Sequence, residues 1–441
     1  MIKMRNYDKV AIQVPKLLLP RSSINLQKWA VIACDQYTSQ FEYWNAVKKF
    51  VGNSPSTLNL IFPEVFLWDN YKLERIKNIY KEMSKYVESN VFNAHEGFVY
   101  VERKIKDKIR KGLIVALDLE KYNYTKESMT LIRATEGTII ERLSQRIRIR
   151  QNAPLELPHI MVLIDDPEKK VIEPLSNKKS NFNLLYDFDL MFNSGHLNGY
   201  LITSAIIQQE VINALENLSD LRNFKEKYNL SSEKPVLLYA VGDGNHSLAA
   251  AKSIWEELKK KGIKDHPARY VLVELVNLHD SSLEFEPIHR VVFDLRKDIL
   301  KEMKKVYGDN LIYVKCRDKG ELIAIVNKKY KDRQVIGFIS ENELGAIYIK
   351  KPKSNLAVGT LQNFLNSFLM IGGAVKIDYV HGTDTVFDIG LEKGNVGFYL
   401  PSMNKNDLFK TVILDGALPR KTFSMGESDE KRFYMEARKI I

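Results

Sequence analysis

The sequence predicts a mixed α/β fold with a glycine-rich turn between a strand and a helix at its centre. Three observations carry this prediction: short apolar runs typical of buried strands, longer amphipathic segments, and the alternation of the two along the chain. Hydrophobic residues make up 45% and charged residues 27% of the 441 residues, the usual balance of a soluble globular protein. A chain of this length exceeds one ordinary core, so we expect two or three domains.

We divide the chain into three regions. Residues 1–165 form an N-terminal α/β region, and residues 166–295 form a core that contains the glycine-rich turn. Residues 296–441 form a C-terminal α+β subdomain and a tail, because residues 297–350 alternate helix and strand. The sequence shows no internal repeat and no low-complexity stretch, which argues against a solenoid or a disordered scaffold.

The distribution of charged and apolar residues argues against a membrane-spanning, secreted or disulfide-rich protein. The net charge of +11 is spread along the chain and interleaved with acids, which is typical of a solvated surface. A positive potential also suits an enzyme whose substrates are phosphates. No apolar run reaches 18 residues, the N-terminus lacks the apolar core of a signal peptide, and Cys34 and Cys316 are too few for a disulfide framework. We therefore expect a cytoplasmic protein without a membrane partner, and we treat both cysteines as packing residues; the oligomeric state is left open.

The strongest motif is the turn from Gly242 to Ser247. The apolar run Val236–Val241 predicts a strand before it, and a helix with one apolar face follows it. Two glycines flank Asp243, and they let the backbone turn sharply and approach a ligand closely. The free N–H groups of the helix start and the helix dipole favour a phosphate there. The residues that we assign to phosphate binding in this turn are Gly242, Gly244, Asn245 and Ser247.

His246 and Asp243 are the reactive side chains of the turn. His246 can pair with an anionic oxygen or move a proton near neutral pH. The alternative is an ordinary strand-to-helix turn capped by Asn245 or Ser247. The turn lacks the Lys-Ser/Thr ending of a Walker loop, and it does not have the Rossmann glycine pattern.

Asp35 is the second candidate. The apolar run Trp29–Cys34 predicts a buried strand, and Asp35 follows it just ahead of a helix, where open α/β folds place their ligands. A carboxylate in that position can act as a general base or hold a metal ion. The alternative is that Asp35 caps the local turn. Thr38, three residues later, is assigned to substrate binding.

The third and fourth candidates are basic. Arg133 can clamp a phosphate or a carboxylate with both of its terminal nitrogens, and Glu136 could orient that arginine or bind a cation. A surface ion pair is the alternative. His289 and Arg290 form a further basic pair at the start of a strand. The substrate-binding residues near Arg133 are Thr135, Glu136 and Thr138; the arginines predicted to lie on a solvated helix face are Arg142, Arg146, Arg148 and Arg150.

With these residues in view, the chain resembles a family catalogued as domain of unknown function ten-fifteen. The family signature is an Asp-Gly-His-His-Arg-like turn after a strand, and it is similar to the phosphate-cradling box of ParB-type proteins. Here that turn runs from Asp243 to Ser247. The resemblance extends over nearly the whole chain and implies a ParB-like core with additional α/β subdomains. It also includes the segments 33–39, 133–138, 287–290 and 418–422.

Two departures from the family turn bear on the substrate. Asn245 replaces its first His, and Ser247 replaces its Arg, which removes a fork suited to a nucleotide phosphate. The segment Ala-Cys-Asp-Gln-Tyr-Thr-Ser-Gln around Asp35 is similar to the branch with pyrophosphate-dependent serine kinases. That resemblance implies a reaction of L-serine with pyrophosphate to give O-phosphoserine and orthophosphate. Magnesium is expected as the companion of pyrophosphate, and its ligands stay unassigned.

In this hypothesis the turn holds one phosphoryl group. Asp35 is the first candidate for the base that takes the serine hydroxyl proton, and Asp243 is the alternative. His246, Arg133 and the pair His289-Arg290 would neutralise charge on the transferring oxygens. The alternatives are a nucleotide-dependent serine kinase, a phosphoserine phosphatase and, from another class, a ParB-like nucleic-acid-binding regulator. The last needs a helix-turn-helix or a contiguous basic face, and the sequence offers no convincing candidate, so we expect small-molecule substrates and no nucleic acid.

Overall fold

The computed structural model describes residues 5–38, 40–67, 69–125, 127–137 and 140–441. Its strands are β1 Asn6–Tyr7, β2 Ile12–Gln13, β3 Lys16–Pro20, β4 Phe92–Glu96, β5 Phe98–Ile105, β6 Lys108–Asp118, β7 Tyr122–Asn123, β8 Ile132–Ala134, β9 Leu155–Glu156, β10 Met161–Ile164, β11 Asn183–Asp189, β12 His196–Ile202, β13 Tyr239–Asp243, β14 Tyr270–Asn277, β15 Phe285–Phe293, β16 Leu311–Cys316, β17 Arg333–Ser340, β18 Leu344–Lys350, β19 Lys376–His381, β20 Val396–Tyr399, β21 Phe423–Met425 and β22 Arg438–Lys439. Its helices are α1 Leu26–Trp29, α2 Phe41–Val51, α3 Lys72–Glu88, α4 Ile140–Arg150, α5 Glu173–Lys178, α6 Ala205–Leu218, α7 Leu221–Tyr228, α8 Asn245–Lys260, α9 Ile299–Tyr307, α10 Lys319–Asn327, α11 Ala357–Met370, α12 Thr383–Gly390 and α13 Asp407–Asp415. The predicted mixed α/β class is confirmed; the ParB-like core stays a prediction.

The chain divides into two compact units, and this division differs from the three predicted regions. The first unit comprises residues 1–283 and 426–441, and the second comprises residues 284–425. The predicted boundary at 165/166 separates β10 from β13, yet these two strands are neighbours in one sheet. The predicted boundary at 295/296 falls after β15, which pairs with β19 and β20 and so belongs with the later strands. Strand pairing between distant segments, which composition does not reveal, accounts for both differences.

The first unit is built on a large mixed sheet. Among the described residues its strands follow the order β11-β12-β5-β6-β14-β10-β13-β8-β7, and β2 also pairs with β6. Alternate residues of β5 face opposite cores: Phe98 and Tyr100 lie in one, Val99 and Val101 in the other. This alternation follows from the two-residue period of a strand, and apolar residues on both faces show that the sheet is covered on both sides. β5 and β6 are antiparallel neighbours in this sheet.

The strand-turn-helix that the sequence predicts is confirmed. β13 enters the turn, and α8 leaves it with Leu248, Ala251 and Trp255 in the core beside the sheet. β13 pairs in parallel with β8 and antiparallel with β10. The turn therefore lies at the end of a central strand, with a neighbouring strand on each side.

The run Trp29–Cys34 is buried, but the prediction of a strand there is wrong. Trp29 ends helix α1, and Ile32 makes only an isolated antiparallel bridge with Phe433. The backbone N–H of Val31 donates to Oγ1 of Thr57 instead of to a strand. Side-chain and loop partners thus take the hydrogen bonds that a sheet neighbour would have taken.

The second unit carries its own sheet, in the order β16-β18-β17-β20-β15-β19, with β21 pairing to β15. Helices α9 and α11 cover one face, and α10 and α12 cover the other. On β17 the alternation is direct, because Ile336 and Phe338 belong to one core while Val335 and Ile339 belong to the other. Among the helices that the structure describes, none combines the length and apolarity needed to cross a membrane.

Candidate active site

The glycine-rich turn has the geometry of a helix N-terminus. Gly244 is the residue before α8, and its φ of 79° lies in the left-handed region that favours glycine. A side chain there would lie 3.0 Å from Ile160, so the space as well as the backbone requires glycine. Gly242 differs from the expectation, since it lies within strand β13 and does not make the turn. Asp243 Oδ1 accepts a hydrogen bond from the N–H of Gly244 at 2.9 Å.

The segment around Thr135 lies beside this turn. Asn245 Oδ1 accepts a hydrogen bond from the N–H of Thr135 at 3.2 Å, and Asn245 Nδ2 approaches Thr135 Oγ1 at 3.4 Å. Thr135 Oγ1 in turn donates to the carbonyl oxygen of Val241. Two candidates that lie 110 positions apart are thus brought together. Because Asn245 and Thr135 are both buried and bonded to each other, they hold the turn in place.

Arg146 is the centre of the site. Its guanidinium donates to Ser247 Oγ at 2.5 Å, to Glu64 Oε1 at 2.6 Å and to Asp35 Oδ2 at 3.3 Å. Only 12% of its side chain is exposed. Burial alone would lower its pKa, but Glu64, Cys34 and Asp35 raise it above its usual value, so the charge is permanent. Arg146 therefore joins Asp35, the second predicted candidate, to the glycine-rich turn.

Asp35 is ionised in this environment. Burial would raise its pKa, but His159 and Arg146 outweigh burial and hold the pKa well below its usual range. Gln36 Nε2 also donates to Asp35 Oδ1 at 3.0 Å. The carboxylate thus has a low affinity for protons and two fixed donors, which suits it to orient a hydroxyl group.

His159 connects the same residues from the other side. Its Nε2 lies 3.0 Å from Ser247 Oγ, 3.3 Å from an Arg146 nitrogen and 3.6 Å from Asp35 Oδ2. An arginine N–H can only donate, so Nε2 carries the lone pair and the proton belongs on Nδ1, which faces the Tyr434 hydroxyl at 3.1 Å. Burial, aided by Arg146, lowers the pKa of His159 against the pull of Asp35. This shift favours the neutral form of the imidazole.

Asp243 at the turn pairs with Lys431 from the C-terminal end of the chain. The distance from Lys431 Nζ to Asp243 Oδ2 is 3.4 Å. The two carboxylates of the site, Asp35 and Asp243, lie near the same charged residues. The negative charge of Asp243 raises the pKa of His159, and the positive charge of Lys431 lowers the pKa of Asp35. The turn and the Asp35 segment therefore form one charged cluster.

A cavity of about 110 Å³ adjoins this cluster. Its polar lining is supplied by Cys34, Glu64, Arg146, Arg150, Glu156, His159, Ser247 and Tyr434. The rest of the lining is mainly apolar and includes Leu60, Phe62, Met83, Ile149, Leu155 and Leu272. Burial raises the pKa of the Cys34 thiol to about 12, so this cysteine is a protonated wall residue, as its predicted packing role requires.

The side chain of Arg133 bonds the backbone rather than the turn. Arg133 is buried, and its nitrogens donate to the carbonyl oxygens of Thr130 and Pro235. Burial lowers its pKa to about 10. The predicted phosphate clamp is corrected accordingly: the guanidinium of Arg133 stabilises backbone carbonyls.

His289 and Arg290 also have structural partners. Both are buried in the second unit, whereas the turn belongs to the first. Arg290 donates to Gln362 and to the carbonyl oxygens of Ile288 and Lys421. His289 Nδ1 accepts from the N–H of Leu400 at 3.1 Å. These contacts, rather than a phosphate, satisfy the two side chains in this structure.

The remaining candidates divide by exposure. Thr38 is exposed three residues after Asp35, and Glu136 and His246 are half-buried. Thr138 lies outside the described residues, and so does the side chain of Arg142. Arg148 is exposed as predicted, but the prediction of a solvated face is wrong for Arg146 and Arg150, because both reach buried carboxylates.

Four side chains of the cluster were not among the predicted site residues: Glu64, His159, Lys431 and Tyr434. Arg146 lies in the cluster and not on the predicted solvated face. One usable signal was present, since His159 immediately precedes the apolar run that forms β10. A polar residue at a strand end is the same feature that singled out Asp35. Among the described residues, no group of three or more His, Cys, Asp or Glu is arranged to hold a metal ion.

The fold and this cluster define a mixed α/β protein with a charged pocket at a strand-to-helix turn. The chain belongs to the family described as "Protein of unknown function (DUF1015)", whose model matches residues 18–368. No curated protein matches the sequence.

Among solved structures, a free serine kinase mutant in complex with ADP aligns with a TM-score of 0.40 and 9% identity over 76% of this chain and 95% of that one. The free serine kinase in complex with AMP gives 0.39 and 10%, over 76% and 94%. A conserved hypothetical protein from Pyrococcus furiosus gives 0.36 and 11%, over 75% and 96%. Likeness at this level leaves the reaction to be inferred from this chain's own residues.

Proposed function

We propose that this protein is a phosphotransferase that moves a phosphoryl group from pyrophosphate to the hydroxyl of free L-serine. The observation that carries the proposal is the position of Arg146, whose guanidinium contacts Ser247 in the turn and the carboxylate of Asp35. Phosphoryl transfer depends mainly on positioning and on neutralising the charge of the transferring group. Arg146 lies where it can serve both purposes.

The donor would bind at the N-terminus of α8. The first N–H groups of a helix have no carbonyl partner within the helix, and with the dipole they favour an anion. The hydroxyl of Ser247 and the fork of Arg146 add donors that suit a phosphoryl oxygen. Pyrophosphate has no base or sugar to recognise, so a compact set of donors is sufficient for it.

Asp35 would orient the acceptor. Its ionised carboxylate accepts a hydrogen bond from the serine hydroxyl, whose oxygen attacks phosphorus while the bridging P–O bond of pyrophosphate breaks. Because the pKa of Asp35 is well below its usual range, the carboxylate is a weak final base. The departing phosphate, whose own pKa is near neutrality, takes the proton in the end. The products are O-phosphoserine and orthophosphate.

Magnesium would accompany the donor and neutralise phosphate charge when bound. It usually binds through one or two carboxylates together with substrate phosphates and water, rather than through a complete protein cage. The chain fits that pattern, since Asp35 and Asp243 both act on the pKa of His159 and so lie in one charged cluster. These two carboxylates are the ones that would hold it.

A nucleotide is the second candidate donor, and the apolar cavity favours it. An adenine base needs an apolar slot near the turn, and the cavity is lined by Ser247 as well as by apolar side chains. Ala153, buried in its wall, offers a test. Ala153→Leu should fill the cavity and lower the use of ADP while leaving the use of pyrophosphate unchanged, if both donors are accepted.

The test of the function is direct. The purified protein is incubated with L-serine and magnesium and, separately, with pyrophosphate, ADP or ATP, and phosphoserine is measured by phosphorus NMR and mass spectrometry. We expect product with pyrophosphate. Product with ADP or ATP alone would change the donor, and release of orthophosphate from phosphoserine without any donor would identify a phosphatase. The absence of product with every donor would refute the kinase.

A further inference from the structure

The C-terminal segment, residues 426–441, runs through the core of the first unit. Tyr434 N–H donates to the carbonyl oxygen of Val31, Ala437 and Leu18 exchange backbone hydrogen bonds, and β22 pairs with β9. Residues 431–438 are all buried. The buried charges of Arg432 and Arg438, paired with Glu274 and Glu156, fix the segment further. It is therefore a permanent part of the fold and lies beyond residues 18–368 that the family model matches.

This segment delivers Lys431 to the glycine-rich turn. Only 11% of the Lys431 side chain is exposed. A lysine is seldom buried unless a negative group compensates it, and here the neighbouring carboxylate is Asp243. Their separation of 3.4 Å exceeds the roughly 2.7–2.9 Å of a close charge-assisted hydrogen bond. An ammonium has three N–H donors, so Lys431 can hold an anion beside the carboxylate.

We propose that Lys431 is a phosphate-binding residue that exchanges Asp243 for the donor when the donor arrives. The ammonium contacts a phosphoryl oxygen at the N-terminus of α8, and Asp243, released from its ion pair, becomes a ligand for the magnesium that the donor brings. The role of pyrophosphate as that donor rests on the proposed function; the ability of Lys431 to bind a phosphoryl anion does not.

The contacts of Asp243 explain why a negatively charged side chain lies at a site proposed to bind an anion. In the free protein Asp243 neutralises the buried ammonium, and it also accepts a hydrogen bond from the N–H of Gly244. A phosphate supplies the same negative charge to both groups. The carboxylate can then leave without stranding Lys431, which would otherwise be a buried and unpaired cation.

The test measures binding rather than turnover. The affinity of the 441-residue chain for pyrophosphate is measured by calorimetry without serine, in the absence and in the presence of magnesium. Lys431→Met, which keeps the unbranched apolar stem but removes the ammonium, should weaken magnesium-free binding about tenfold or more, as expected for loss of a charged hydrogen bond. Lys439→Met is the matched control, because Lys439 is exposed in the same segment, and its affinity should not change.

The Asp243→Asn variant tests whether phosphate replaces Asp243 as the partner of Lys431, because the direction of its change in pyrophosphate affinity should depend on magnesium. Without magnesium this variant should bind pyrophosphate several-fold more tightly, because Lys431 no longer has a competing carboxylate. With magnesium the gain should reverse, because a metal ligand is lost. In the Lys431→Met background the magnesium-free gain should disappear. Thermal melts of each variant by circular dichroism verify that the fold is intact.

The outcomes separate this inference from the proposed function. An unchanged affinity of folded Lys431→Met, or a gain from Asp243→Asn that survives in the double variant, overturns the role of Lys431 whatever the enzyme does. If the wild type forms no phosphoserine but the binding pattern holds, the proposed function fails and Lys431 remains a phosphate-binding residue.

Discussion

Arg146 donates a hydrogen bond to Ser247 from 101 positions earlier in the chain, and this contact joins α4 to the first turn of α8. Ser247 stands where the resemblance to the family turn implies an arginine. In this chain a guanidinium reaches the turn from a different helix, so the cationic fork is supplied from elsewhere. An arginine on α8 and Arg146 on α4 are not equivalent, because Arg146 also binds Asp35 and Glu64.

Arg146→Lys should lower turnover about 10²–10³-fold, as expected for the loss of one donor to a developing charge. Lysine keeps the positive charge but cannot contact Ser247, Asp35 and Glu64 together. Initial rates of phosphoserine formation measure the effect. Arg148→Lys, on the exposed side of the same helix, is the control. Equal rates for the two variants would remove Arg146 from the reaction.

Arg146→Met should destabilise the first unit by about 3–5 kcal/mol, because it leaves Asp35 and Glu64 as buried carboxylates without their cation. Chemical denaturation measures the free energy of unfolding. A loss below about 1 kcal/mol, the value typical of an exposed ion pair, would show that water reaches both carboxylates.

Asp35→Asn should lower turnover about 10²-fold or more while leaving the fold intact, since a neutral amide orients the serine hydroxyl less strongly than a carboxylate does. Steady-state rates and a thermal melt are measured together. Asp309→Asn, an exposed substitution, serves as the control. A near-normal rate for the Asp35 variant would leave Asp243 as the candidate base.

Gly244→Ala should destabilise the protein more than Gly262→Ala does. Both glycines have a left-handed φ, 79° and 83°, which costs an alanine about 1–2 kcal/mol. At Gly244 the new methyl group also lies 3.0 Å from Ile160, whereas nothing lies within 4 Å at Gly262. The difference in unfolding free energy isolates that close approach. Equal losses would show that β10 moves away without cost.

His289 should make stability depend on pH. Burial lowers its pKa from 6.5 to about 4. Between these values the unfolded chain binds the proton and the folded chain does not, so the full stability is present above pH 6.5 and is lost as the pH falls toward 4. The loss amounts to about 3 kcal/mol, at 1.36 kcal/mol for each pKa unit.

His289→Asn removes the titrating group and keeps an acceptor for the N–H of Leu400, so its unfolding free energy should be flatter over this pH range. Chemical denaturation at a series of pH values measures the slope. His196 gives the opposite sign: Asp189 and Asp187 raise its pKa against the effect of burial, so its contribution is present at low pH and is lost as the pH rises. An unchanged slope in the His289 variant would show that another group titrates.

The glycine-rich turn and Asp35 could be predicted from the sequence, because both depend on residues that are neighbours in the chain. Gly244 needs a left-handed φ, which glycine adopts readily. The apolar run before it predicted strand β13, and the apolar residues at helical spacing after it predicted helix α8. Asp35 was recognised from its place after an apolar run, even though that run is held by side chains and by the C-terminal segment instead of by a strand neighbour. Both features depend on residues close together in the chain.

The identity of the cations could not be predicted in this way. Arg133 and Arg146 are the same residue type, yet one bonds carbonyl oxygens and the other binds two carboxylates. Lys431 reaches Asp243 only because the C-terminal segment packs through the core of the first unit. The sequence by itself determined the glycine-rich turn and the candidacy of Asp35, because backbone conformation is a local property. The tertiary structure decided which charges meet there, because the partner of a buried charge is set by long-range packing.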